Sequence, residues 1–156
     1  MAITEERGLQ AYCVFRRTPF DLALPIAVVT DVSVARPLAP VPFAPPHLRG
    51  ARWHRGHVIP VFCIDLLLQA AGEARPAGPS WVFLAVDGVR AAVEVDRLLG
   101  TAIIAAREVR RTAPVPVAVG TVSRGGRELV LLDPVRLLAA LATPTTTAFT
   151  TAGVPA

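Results

Sequence analysis

Side chains that could act on a ligand are few in this chain, and most of them gather in one stretch, Pro46 to Val61. That stretch holds His47, His54 and His57, and two Arg-Gly pairs six residues apart, Arg49-Gly50 and Arg55-Gly56. The histidine spacing suits no common zinc pattern, no cysteine joins them, and His54 and His57 straddle a turn. They read as solvated loop histidines, and no metal is expected. The Arg-Gly pairs say more. Glycine lets the backbone turn where other residues cannot, so each pair is expected to present a basic side chain on a tight, exposed corner. Two such corners leading into an apolar strand, His57 to Ile64, make a recognition edge rather than a catalytic centre. The nucleophile and carboxylate that catalysis would need are not beside it.

The remaining reactive types have structural explanations. Asp133 precedes a proline and reads as a helix cap, and Asp96 as a strand-end turn residue, so the two do not form a catalytic pair. Ser33, Ser80 and Ser123 lack a nucleophile-elbow context, and no Gly-rich phosphate loop opens a helix. Cys13 and Cys63 sit in apolar, strand-like segments and are expected as free thiols rather than a disulfide. No catalytic residue and no cofactor are assigned.

The elements that must position these residues are short. Gln10 to Arg16 reads as a strand, turned at Arg17-Thr18-Pro19 into a return strand over Phe20 to Leu24. Pro25 to Val29 reads as a one-turn segment and Asp31 to Arg36 as a strand. Pro37 to Pro46 carries five prolines in ten residues and must wrap the surface as an extended loop. Strands follow at Arg49 to His54 and His57 to Ile64, then a short helix over Asp65 to Ala71 and a linker to Ser80. Trp81 to Val86, Asp87-Gly88 and Val89 to Val95 form a hairpin with a type I′ signal. A strand over Thr101 to Ala106, a loop to Pro116 and a second hairpin around Arg124-Gly125-Gly126 lead to a helix from Asp133 to about Ala142. Thr143 to Ala156 reads as a frayed tail. Many short strands with frequent turn signals and no long amphipathic helix argue for an all-β barrel or sandwich.

Composition narrows the function classes. The 156 residues suit one compact domain or two small subdomains sharing a core, here residues 10–142. No apolar run approaches the roughly 18–20 residues of a membrane span, so no membrane insertion is expected. The polar, acidic start Met-Ala-Ile-Thr-Glu-Glu-Arg is not a secretory signal, and a cytoplasmic location is expected. The net charge is +4, and all sixteen basic residues are arginine, scattered from Arg7 to Arg136. A nucleic-acid binder usually gathers such charge on one stripe with stacking aromatics.

Four segments, in order and at matching spacing, carry a family likeness. They are Ala23 to Val32, Gly50 to Val61, Ala92 to Asp96 and Gly120 to Leu138. Together they resemble the CheW-like family, over roughly Gln10 to Leu141. The resemblance implies two SH3-like five-stranded β-barrel subdomains sharing a core, with short helices including one near the C-terminus. It implies no catalysis. Such proteins are adaptors that couple a methyl-accepting chemoreceptor tip to the regulatory domain of a histidine kinase. The family's receptor-facing positions fall on Val29, Asp31, Gly50, Arg55 and Gly56. Val29 would give apolar contact and Asp31 and Arg55 charge-specific contact, while the glycines would let the corner approach a helical partner. The chain departs from the family pattern at Arg52, at Trp53-His54 where Asn-Leu is usual, and at Cys63 where Asp is usual. A small basic β-barrel that binds nucleic acid is the alternative. It gains if Arg16, Arg17, Arg52, Arg55, Arg110 and Arg111 converge on one face with Trp53 exposed.

Overall fold

The computed structural model describes residues 8–68 and 75–142. Ten strands and one helix account for most of them. In chain order they are β1 (Leu9–Arg17), β2 (Phe20–Pro25), β3 (Val29–Val34), β4 (Leu48–His54), β5 (His57–Phe62), β6 (Ser80–Val86), β7 (Val89–Val95), β8 (Arg97–Ala105), β9 (Ala118–Arg124), β10 (Arg127–Leu132) and α1 (Pro134–Ala142). Single 3-10 turns occupy Ile26–Val28 and Ala106–Glu108.

The strands build two five-stranded sheets, ordered β8-β1-β2-β10-β9 and β3-β6-β7-β5-β4. Each has one parallel pair, β2 with β10 in the first and β5 with β7 in the second. The chain therefore runs as two similar halves. In each half the opening hairpin joins one sheet and the next three strands join the other.

Alternation along the strands sorts the apolar side chains into three cores. Phe15, Leu22, Leu24 and Val130 from the first sheet meet Val82, Leu84, Val93 and Val95 from the second in a shared central core. Their neighbours point the other way. Tyr12, Ala23, Leu129 and Leu131 line the inside of the first sheet, and Ile59, Val61, Trp81, Phe83 and Ala92 line the inside of the second. This is the architecture expected from the sequence, two small β units on a common core. The continuous ladders leave each unit open between its outer strands. A single isolated bridge spans each gap, Ala39 to Ala51 near β4 and Arg110 to Thr121 at β9.

The turns follow their sequence signals. Asp87 and Gly88 have φ of 51° and 82°, the left-handed pair that a type I′ turn requires. Asp133 Oδ1 accepts from the backbone N–H of Val135 at 2.9 Å and of Arg136 at 3.2 Å, which caps α1 with Pro134 in its first turn. Leu137, Leu138 and Leu141 bury the helix's apolar face in the shared core.

Four expectations change. His47, expected as a solvated loop histidine, is buried, its Nε2 donating to the Leu141 carbonyl at 2.9 Å and its ring stacked on Phe62. Arg49-Gly50 is not a corner, because both residues lie inside β4. Gly50 is buried there, and a Cβ on it would sit 2.7 Å from the Ala39 carbonyl oxygen and 2.8 Å from Leu38 Cβ. Its missing side chain makes room for the molecule's own proline-rich loop. The eighth strand starts at Arg97, not Thr101. Of the helix expected over Asp65 to Ala71, residues 65–68 form a turn, with the Leu68 N–H donating to the Ile64 carbonyl at 3.1 Å, and the rest lies outside the described residues. The tail expected over 143–156 also lies outside them.

Candidate functional site

Strands β3 and β4 are the two outer strands of the second sheet, and they face each other across its gap. Asp31 on β3 and the β4–β5 turn close this seam. Arg55 and Gly56 form the turn with φ of 48° and 84°. The left-handed backbone at Arg55 turns its side chain outward, so it is 76 % exposed, yet its Nε lies 2.8 Å from Asp31 Oδ2. His54 Nε2 donates to the same oxygen at 2.9 Å. The His54 ring is stacked on Phe83, with centroids 4.0 Å apart and planes 13° from parallel. Asp31 Oδ1 accepts from the Val32 N–H at 2.8 Å.

Asp31 is thus engaged on both oxygens. Burial pushes its carboxyl up, but the Val32 and His54 hydrogen bonds and the charge of Arg55 outweigh that, and it stays below the ordinary carboxylate value. These groups rim a cleft at the open end of the second sheet, with a volume of about 400 Å3 counting its open mouth. Thr30, Asp31, His54, Arg55, His57 and Arg90 form the rim, and Ile59, Phe83, Leu84 and Ala91 the floor. His57 Nδ1 donates to the Arg55 carbonyl at 3.2 Å. On the outer face of the same hairpin, Trp53 (68 % exposed) is the cross-strand partner of Val58 (65 % exposed).

Of the five receptor-facing residues, Asp31, Arg55 and Gly56 come together at this corner. Val29 lies two residues before Asp31 in β3, half-buried and packed on the shared core. Gly50 stands apart, beneath the Leu38–Ala39 segment. His54, Phe83 and Arg90 are the participants that sequence reasoning missed. His54 was visible only as a departure from the family pattern, and nothing in the spacing ties Phe83 or Arg90 to Asp31.

A second cluster joins the two units. Arg17, nearly sealed from solvent, donates from Nε to Asp65 at 2.8 Å, from Nη1 to Asp96 at 3.0 Å and from Nη2 to Glu94 at 3.3 Å. Arg49 Nη2 lies 2.9 Å from the same Glu94 oxygen, and Arg75 pairs with Asp65. Three arginines and three carboxylates from distant parts of the chain satisfy one another here, so Asp96 has a structural partner and Arg49 points inward.

The six arginines that a nucleic-acid surface would need do not converge. Arg17 is buried in that cluster, Arg16 is paired with Asp21 at 2.7 Å, and Arg55 with Asp31. Arg52 donates to the Pro37 carbonyl at 2.9 Å. Arg110 bridges through its backbone to Thr121 of β9 in the first sheet, and Arg111 borders the same unit beside Gln10 and Tyr12, away from Arg52 and Arg55 on the second. Among the described residues no group of three His, Cys, Asp or Glu side chains could hold a metal ion. Cys13 and Cys63 are both free.

Three likenesses to known proteins bear on this chain. A family model described as "CheW-like domain" matches residues 12–142. Protein FrzA of Myxococcus xanthus is 36% identical over 98 residues, a match spanning 62% of this chain and 60% of that protein's length. The crystal structure of scaffolding protein TtCheW from Thermoanaerobacter tengcongensis superposes with a TM-score of 0.70, covering 80% of this chain and 88% of that one. At 17% identity, that last likeness is one of fold.

Proposed function

The chain belongs to the CheW-like domain family, and on that premise we propose that it is a non-catalytic signalling adaptor that couples a chemoreceptor tip to a histidine kinase at the cytoplasmic side of a chemosensory array. The family match and the scaffold-like fold support the adaptor role. The observation that carries the receptor-facing assignment is the Asp31–Arg55 pair, set on an exposed β-hairpin corner beside the solvent-facing Trp53 and Val58.

The chemistry of the corner suits a helical partner. Arg55 stays mostly in solvent, so its pair with Asp31 is weakly held and open to exchange with a partner's charge. Gly56 leaves nothing within 4 Å of where its Cβ would be, so a partner backbone can come close. Trp53 offers the large flat apolar surface that interface anchors commonly use. Val29 supports this edge from the shared core, and Gly50 supports it by seating the loop behind it.

The test pairs two measurements on the Arg55→Glu variant: calorimetric affinity for a chemoreceptor-tip coiled-coil fragment from the same cells, and a melting curve. Weakened binding with an unshifted melt supports the reading. Failure of the native protein to bind any such tip, or unchanged affinity in the variant, overturns it.

A further inference from the structure

The charge at the rim of the second sheet's cleft is unevenly used. Asp31, the acid there, already accepts from the Val32 N–H and His54 and is ion-paired with Arg55. Arg90 lines the same rim from β7 and is exposed. It has no ion pair or hydrogen bond within the described residues, while Arg16, Arg17, Arg49, Arg55, Arg75, Arg124 and Arg127 all do. The charge left unspent at the mouth is therefore positive. Below the rim the floor is apolar, with Phe83 already stacked under the His54 ring.

We propose that this mouth is a socket for a carboxylate side chain of the docking partner, with Arg90 as the anchoring cation and Arg55, ion-paired with Asp31, as the second, shared cation. The inference rests on the adaptor reading and names the chemistry its partner must bring. A glutamate fits the arrangement. Its methylenes lie against the apolar floor while its carboxylate meets the fork of an unpaired guanidinium, which binds planar anions through two parallel hydrogen bonds. Apolar walls lower the local dielectric and strengthen such a pair. A basic side chain does not fit, because it would face Arg55 and Arg90 and find the one carboxylate already occupied. The mouth of a β-barrel-like unit, apolar inside with a few convergent polar groups, is a common place for such a site.

Two arms test this. In the first, the full chain is titrated with N-acetylglutamate α-amide and, separately, with N-acetylglutamine α-amide, while NMR follows the Arg90 side chain and the His54 ring. The acidic probe is expected to shift both signals, the neutral probe to leave them, and Arg90→Gln to abolish the response. In the second, Arg90→Gln is expected to weaken binding of the receptor-tip fragment by ~30-fold or more, the loss of one hydrogen-bonded charge contact, with an unchanged melt. Equal shifts from both probes, or full tip affinity in Arg90→Gln, overturn the socket while leaving the adaptor reading standing if Arg55→Glu still weakens the tip. A native chain that binds no tip but responds to the acidic probe alone removes the adaptor reading and keeps the socket.

Discussion

Arg17 Nη2 lies 3.3 Å from Glu94 Oε1, and both side chains are almost fully buried, at 2% and 1% exposure. The two residues are 77 positions apart, one in the first sheet and one in the second. Arg17 also holds Asp65 and Asp96, so one guanidinium ties β1 to the segments that flank the second sheet. Replacing Arg17 by Met would leave Asp65, Glu94 and Asp96 short of their shared donor. Breaking a buried ion pair from one side typically costs about 3–5 kcal/mol. The expected outcome is a loss of that order in urea unfolding. Glu94→Gln should cost less than Arg17→Met, since Asp65 and Asp96 still face Arg17. A loss under about 1 kcal/mol for Arg17→Met would show the cluster to be dispensable.

The same cluster sets the response to acid. Burial alone would raise the carboxyls of Asp65 and Asp96, but hydrogen bonds hold both below the ordinary range, from Arg17 and Arg75 on Asp65 and from Thr18, then Arg17, on Asp96. Asp21 is held low chiefly by the hydrogen bond from Arg16, with Arg127 adding a second. A carboxylate whose folded pKa is depressed contributes stability that is fully present above its unfolded pKa, about 3.9, and is lost as pH falls toward the folded value. Melting temperature should therefore be flat from about pH 7 to 5 and drop steeply below about pH 4. In Arg17→Met the drop should be shallower. An identical acid profile in the two proteins would remove the cluster from the explanation.

Gly50 and Gly120 occupy matching places in the two halves, each under a carbonyl that bridges its unit's gap. A Cβ at Gly120 would come within 2.4 Å of the Arg110 oxygen and 2.7 Å of Val109 Cγ1, much as one at Gly50 would meet Ala39 and Leu38. Backbone cannot step aside as a flexible side-chain end can. Gly50→Ala and Gly120→Ala should each destabilise by about 1–3 kcal/mol, the usual range for overpacking. Gly125→Ala is a useful comparison, because nothing lies within 4 Å of its Cβ position and its cost would be backbone strain alone. Denaturant midpoints decide the matter, and wild-type midpoints for Gly50→Ala and Gly120→Ala would refute the close approach.

Asp31 and Arg55 form a pair whose arginine is mostly in solvent. A double-mutant cycle with Asp31→Asn and Arg55→Gln should give a coupling of about 0.2–1 kcal/mol, the range of exposed pairs. Salt should shrink it. A coupling above about 2 kcal/mol would mark Arg55 as an internal clamp rather than a residue free to meet a partner.

Local signals in the chain specified local structure. The Asp87-Gly88 and Gly125-Gly126 turns, the Asp133-Pro134 helix start and the proline-rich loop could all be read directly, because each depends on a few residues and their own backbone limits. Many short apolar strands with a turn signal between them, and no long amphipathic helix, were enough to require an all-β fold, and with the family likeness they placed two small β units on a common core. Which strands pair was a different matter. The Arg49-Gly50 pair carried the same letters as Arg55-Gly56, yet one lies inside a strand under the Ala39 carbonyl and the other makes the turn, a difference set by the Leu38–Ala39 segment of the preceding loop. The meeting of Asp31 with His54 and Arg55, the place of Arg90 at the same rim, and the Arg17 cluster with its partners 48 to 79 residues distant were decided by tertiary structure alone. Ion pairs across such separations have no periodicity and no spacing rule. They exist only once the hydrophobic faces have fixed which strands are neighbours, and it is that packing which turned scattered arginines into a buried staple and an exposed corner.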